Sequence, residues 1–274
     1  MRTLKYLIAA SAALMSTASL AADLPLAPPP YIPPPIEDFG GWYLRGDIGI
    51  SNQQVKRLDN ALDATLITQN QRLGFDSGGI YGLGAGYQFN NFFRADFTAE
   101  YRAGASFNGL DLNTFTGGTG VNNYRGIKSE WLFLANAYVD LGTWWCLTPF
   151  VGAGIGTSRV TISNFTDQGL VVTGGPPIAS SAYADTASKW NFAWAVHAGV
   201  AYKYSPNVTM EFAYRYADLG DGITGDIRAF DGTNAINNPM TFKNITSHDL
   251  KLGVRWAIEP TPTYLPPPPL MRKG

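Results

Sequence analysis

The sequence has 274 residues, 45% of them hydrophobic and 13% aromatic, but only 15% charged, against about a quarter in ordinary soluble domains. That apolar content argues against a disordered chain, and a single cysteine excludes an internal disulfide framework. A formal net charge of -1 offers no basic excess for the counterion release that drives nucleic-acid binding, so no nucleic-acid partner is expected.

Mean hydropathy is nevertheless close to zero, so the apolar residues must alternate with polar ones rather than gather in runs. In chain order, residues 1–21 read as a secretory signal: basic Arg2 and Lys5, an apolar stretch from Leu7 to Met15, and small residues Ser19 and Ala21 at a cleavage site. The apolar stretch is too short to span a bilayer, which takes about 20 residues. Residues 22–38 hold seven prolines and are expected to form an extended periplasmic linker. Residues 259–274 hold six more and are expected to form a second proline-rich tail. After Ala22 no apolar run is long enough for a transmembrane helix.

Between the tails, residues 39–258, period-two alternation appears eight times. The segments are Gly41 to Ser51, Gly79 to Phe89, Phe92 to Ala103, Ser129 to Leu141, Thr148 to Val160, Trp190 to Tyr204, Val208 to Tyr216 and Ile245 to Ile258. In Phe92 to Ala103, Phe93, Ala95, Phe97, Ala99 and Tyr101 alternate with Arg94, Asp96, Thr98, Glu100 and Arg102. One face is apolar and free of charge, and the other gathers the charges or, in the second and fifth segments, glycine. A two-sheet sandwich does not need charges on one face of nearly every strand with aromatics on the other. The pattern therefore predicts an all-β fold: an eight-stranded antiparallel transmembrane β-barrel, apolar face to lipid and charged face to a narrow lumen.

Trp42, Phe89, Phe93, Trp131, Tyr204 and Trp256 lie near strand ends, where such barrels carry aromatic girdles. The connections Asn90-Asn91, Gly142 to Leu147 and Ser205 to Asn207 are short and predict periplasmic turns. Residues 52–78, 104–128, 161–189 and 217–244 are long and polar and predict four extracellular loops, with helical spacing of Leu58, Leu62 and Leu66 in the first. The even strand number places both barrel ends on the periplasmic side.

The inward-facing charges are expected to be Arg45, Arg94, Arg102, Arg159, Lys203, Arg215, Lys251 and Arg255 against Asp47, Asp96, Glu100, Glu130, Asp140, Glu211 and Asp249. Near-balance suits a salt-bridged plug; a narrow channel for small solutes stays open as an alternative. Catalysis is not expected. His197 sits mid-strand on the lumen face, and adjacent Ser247, His248 and Asp249 point to alternate faces and cannot converge. No metal or cofactor site is expected, since two histidines and Cys146 have no ligand spacing.

The run Gly41-Trp42-Tyr43-Leu44-Arg45-Gly46-Asp47-Ile48-Gly49, the run Thr148 to Gly156, Ala198 to Tyr202, Tyr214-Arg215-Tyr216 and the run Ser247 to Trp256 together resemble the outer membrane immunogenic proteins of Alphaproteobacteria. These are small barrels related to opacity-type porins and to the OmpA transmembrane domain. The resemblance spans about residues 38–258. It implies an eight-stranded barrel of the cell outer membrane, surface-exposed antigenic loops that could serve as an adhesin, and a structural role in the envelope. It also implies contact with outer-membrane lipid and lipopolysaccharide, and insertion by the barrel-assembly machinery. Ala-Asp starts in some relatives are joined to peptidoglycan, which would make Ala22 an attachment residue. One departure is the proline-rich tail after Trp256-Ala257-Ile258, where such barrels usually end on an aromatic residue. The large periplasmic domain of OmpA-type proteins has no counterpart in that tail.

Overall fold

A computed structural model of the chain describes residues 40–258. The predicted signal, the linker with Ala22, and the C-terminal tail lie outside the described residues. The strands are β1 (Gly41–Asp59), β2 (Leu66–Phe75), β3 (Gly78–Gln88), β4 (Phe93–Phe115), β5 (Gly118–Asp140), β6 (Leu147–Val172), β7 (Ile178–Ala184), β8 (Ala187–Lys203), β9 (Val208–Ala229) and β10 (Pro239–Ala257).

They close into one antiparallel ring of eight positions. β1 pairs with β3, β3 with β4, β4 with β5, β5 with β6, β6 with β8, β8 with β9, β9 with β10, and β10 returns to β1 from Tyr43↔Ala257 to Asp59↔Thr241. The two remaining strands extend the ring. β2 pairs with the upper half of β4 and runs on into β3 after a break at Asp76 and Ser77. β7 pairs with the upper halves of β6 and β9 and runs on into β8 after a break at Asp185 and Thr186. Within the eight-strand ring every strand has two neighbours and no edge meets lipid, as lipid requires.

The short connections are turns, as predicted. Asn90 Oδ1 accepts from the backbone N–H of Phe92 and of Phe93, both at 2.8 Å. Trp144 and Leu147 exchange two backbone bonds around Trp145 and Cys146, both at positive φ (50° and 68°). Such φ values define the primed hairpin turns.

The predicted extracellular loops are largely strand instead. β4 and β5 continue through 104–115 and 118–128, β6 through 161–172, and β9 and β10 through 217–229 and 239–244. In β4, β6, β9 and β10 the alternation is hidden because its phase slips, whereas in β5 the phase holds but both faces are polar there (Asn122, Asn123, Arg125, Lys128). In β4 the buried residues are even-numbered through Arg102 and odd-numbered from Ala105, and pairing with β5 shifts from Arg102↔Glu130 to Ala105↔Lys128. Equivalent slips occur in β6 at Asn164, in β9 at Gly220 and in β10 at Asn244, all three at positive φ. An extra residue in left-handed conformation is how a bulge turns a strand over. In the first predicted loop, only Ala61–Thr65 is helical, a single 3-10 turn capped by Asn60.

Candidate functional site

Outside, alternate side chains form an apolar belt. Between the girdles, the outward positions of β1, β3, β4, β5, β8, β9 and β10 hold no Asp, Glu, Lys or Arg. Ile48, Ile50, Leu83, Phe97, Phe192, Phe212 and Leu252 are more than half exposed in the isolated protein. That much contiguous apolar surface is tolerable only against lipid. The five aromatics Trp42, Phe93, Trp131, Tyr204 and Trp256 all lie on this outer surface. At the short-turn end Trp42, Tyr87, Phe89 and Phe93 form a chain with ring centroids 5.1–5.4 Å apart. At the other end Tyr101, Trp131, Phe133 and Trp190 are linked at 5.1–6.2 Å.

Inside, the lower lumen is a continuous network of ion pairs. Arg45 reaches Asp47 (2.8 Å), Asp96 (2.6 Å) and Glu211 (3.3 Å). Glu211 also receives Arg94 (3.1 Å) and Arg255 (2.7 Å), and Arg94 turns to Asp140 (3.2 Å). One step up, Glu100 takes Arg215 (2.6 Å) and Lys251, whose Nζ is also 3.6 Å from Asp47. Asp249 takes Arg215 (2.9 Å) and Arg102, and Arg102 passes on to Glu130 (3.1 Å) and thence to Lys128 (2.5 Å). Thus the structure brings all eleven expected network residues together: Arg45, Asp47, Arg94, Asp96, Glu100, Arg102, Glu211, Arg215, Asp249, Lys251 and Arg255, each with an exposure of 8% or less. Glu130 and Asp140 join them.

Aromatic hydroxyls and rings complete the packing. Tyr43 OH donates to Asp96 (3.0 Å), Tyr138 OH accepts from Arg45 (3.1 Å), and the Arg94 guanidinium lies 4.1 Å above the Tyr138 ring. Glycines on the facing strands make room. A Cβ on Gly253 would come within 2.5 Å of an Asp47 carboxylate oxygen, and one on Gly86 would strike the Tyr43 ring at the same distance.

Two expected members are not in the network. Arg159 shares the parity of Val151, Ala153 and Ile155, so it points outward, its guanidinium 5.9 Å from the Trp190 ring at the outer girdle. Lys203 has inward parity but stands exposed at the short-turn mouth, beyond the last carboxylate. One member was missed: Lys128, fully buried, one residue before the predicted start of its strand. With these changes the network holds seven cations and seven anions.

Beside and above the charges lies apolar packing that the alternation did not announce: Leu132 and Leu134 stand between Glu130 and Asn136 on β5, level with the ion pairs, and the phenylalanines stand beyond Lys128. Leu132, Leu134, Val160, Leu219, Phe107, Phe165 and Phe242 are buried against one another, with the rings of Phe107 and Phe242 4.8 Å apart. The histidines take their expected faces. His197 is inside, 3.2 Å from Asn136 Oδ1, while His248 is outside, its Nδ1 2.6 Å from Tyr214 OH. Ser247 and Asp249 point inward on either side of it, both contacting Arg102.

The family match agrees with this architecture. A family model described as an outer membrane protein beta-barrel domain matches residues 7–257. An uncharacterized protein of Brucella abortus is 32% identical over 227 residues, covering 75% of this chain and 78% of that protein. A Rickettsia prowazekii protein named as a candidate adhesin is 28% identical over 218 residues, 79% of this chain and 87% of its own. The outer membrane protein PagN of Salmonella typhimurium is 25% identical over 226 residues, 79% and 90% of the two chains. Among solved structures, OprG from Pseudomonas aeruginosa overlays with a TM-score of 0.42 at 12% identity, covering 81% of this chain and 98% of that one. The chain belongs to the outer membrane protein beta-barrel domain family, and its place is the cell outer membrane.

Proposed function

We propose that this barrel is a structural, non-conducting element of the outer membrane that presents its strand extensions at the cell surface. The observation that carries this reading is the filled interior. Seven cations neutralise seven anions in the lower lumen, and the apolar packing of Phe107, Phe165 and Phe242 lies beyond them toward the strand extensions. An ion crossing it would have to break buried pairs, which costs about 3–5 kcal/mol for each pair opened, and then cross apolar packing with no polar partner. No catalytic step is assigned, because His248 and the neighbouring Ser247 and Asp249 face opposite sides of the wall. The test is single-channel recording of the refolded full chain in planar bilayers. The expected result is no stable conductance step; reproducible steps favour the narrow-channel reading instead.

A second reading, an adhesin, is favoured by the extensions themselves, which lift exposed Ile67, Ile178 and Phe230 above the belt. The name of the Rickettsia prowazekii relative points the same way. Replacing residues 104–128 by a short hairpin and measuring cell-surface binding distinguishes the two. The partners proposed with this role are outer-membrane lipid and lipopolysaccharide at the belt, the barrel-assembly machinery and, through Ala22, peptidoglycan. Mass spectrometry of lysozyme-released peptidoglycan fragments tests the last of them.

A further inference from the structure

Above the apolar layer, at the long-loop end, the strand extensions enclose an open cavity of about 710 Å³. Its walls carry three carboxylates: Asp63 on the 3-10 turn, Asp111 on β4 and Asp167 on β6. Among the described residues lining it there is no Lys, Arg or His. The contrast with the lumen below is direct, since there every carboxylate has a cation.

The carboxylates are not idle surface groups. Asp111 is 1% exposed; its Oδ2 accepts from Gln69 Nε2 at 3.0 Å, and its Oδ1 is buried without a partner. Asp167, two strands away across β5, likewise has a buried Oδ1 without a partner. An unsatisfied buried acceptor is costly, more so when charged, and two facing carboxylates raise that cost together. Burial, with Asp111 adding to it, pushes the Asp167 carboxyl up to about 6. The remaining lining supplies Asn122 and Asn113 amides beside apolar Phe115 and Ile227.

We propose that this cavity binds a small organic cation through an ammonium or guanidinium group held between Asp111 and Asp167. Such a head brings three to five N–H donors, which answer the two free carboxylate oxygens and the nearby amides. Phe115 and Ile227 then cover its methylene stem. A bare metal ion is a poorer match. Among the described residues no three His, Cys, Asp or Glu side chains stand close enough to share one, and the volume is that of an organic-ligand pocket, about 300–1,000 Å³.

The group could belong to a free amine or to a side chain of a peptide. Isothermal titration of the full chain in nanodiscs, with spermidine in one arm and the tripeptide Gly-Arg-Gly in another, separates the two sources. At least one is expected to bind saturably at neutral pH. Binding should weaken tenfold or more in both Asp111→Asn and Asp167→Asn, and stay unchanged in Asp231→Asn, an exposed acid outside the cavity. Should Asp111→Asn fail to fold by heat-modifiable gel mobility, Asp167→Asn alone decides. The proposal is overturned if neither probe binds saturably, if Asp231→Asn weakens binding equally, or if calcium binds where both probes fail.

Discussion

Glu100 is the most demanding point in the lumen, and Glu100→Gln the most informative change. The side chain is fully buried; its two oxygens accept from Arg215 at 2.9 and 2.6 Å, and one also takes Lys251. Glutamine keeps the shape and removes the charge, which leaves seven buried cations facing six anions. Breaking a buried pair in this way costs about 3–5 kcal/mol. A water-filled lumen would screen the same pairs to the level of exposed ones, about 0.2–1 kcal/mol. Urea unfolding in lipid vesicles, followed by the fluorescence of the seven tryptophans, separates the two regimes. The double variant Glu100→Gln with Arg215→Met restores the balance. It is expected to cost less than the sum of the singles by about 2 kcal/mol, within the range of coupled neighbours. A loss under about 1 kcal/mol for Glu100→Gln, with additive singles, refutes a dry, paired interior and with it the physical basis of the non-conducting reading.

Phe242→Ala removes the ring at the centre of the apolar layer, which contacts Phe107, Phe165 and Phe75; the expected loss is about 3–5 kcal/mol by the same urea assay. Asn244→Val places a β-branched residue at φ 52° and is expected to cost about 1–2 kcal/mol, whereas Asn244→Gly stays within a few tenths, so equal effects of the two would remove the bulge from the account. Asp167 gives a pH signature. The groups facing it are Asp111, Tyr124 and Asp63, none cationic, so the folded chain keeps its proton to about pH 6 while the unfolded chain releases it near 3.8. The contribution of Asp167 to stability is therefore highest below pH 4, falls between 4 and 6, and is flat above. The full change is at most about 3 kcal/mol. Asp167→Asn should match the parent at pH 4 and exceed it at pH 7, and a difference independent of pH would exclude the raised carboxyl.

The belt and the inward charges were legible because each rests on strict period two, and lipid enforces that period on every residue between the girdles. Phe93 to Tyr101 and Arg94 to Arg102 could hardly be assigned otherwise. Where lipid stops, the constraint relaxes, and bulges at Gly104, Asn164, Gly220 and Asn244 turn the strands over. Averaged across a slip, alternation cancels, and the segment reads as polar loop. Two misplacements had a visible signal. Arg159 shares its parity with Ile155, and Lys128 is two residues before Glu130 on an uninterrupted face of β5. The apolar layer had one as well, since Leu132 and Leu134 sit on the same face as Glu130 and Asn136. Which residues meet across the lumen had none, because contacts such as Arg45 with Glu211 depend on ring closure, not on local sequence.

The slips also explain how one barrel holds two kinds of interior. Below them, the inward parity selects Arg94, Asp96, Glu100 and Arg102 on β4; above them, the same strand turns in Ala105 and Phe107 and then Asp111. Without the bulge, Asn108 and Leu110 would face inward and Phe107 and Asp111 outward, so neither the apolar layer nor the acidic cavity could form from this strand. β6 repeats the logic, with Ile162 inside before Asn164 and Phe165 and Asp167 inside after it. Asp111 and Asp167 thus reach the same cavity because two strands slip in step on either side of β5, which does not slip and supplies Tyr124 between them. Deleting Asn164, the extra residue, would keep both inside, whereas inserting one residue after it would return Phe165 to the outside and carry Asp167 with it. The expected result of the insertion is simultaneous loss of stability and of the cavity's charge, a coupling that follows only if the bulge sets the parity of both.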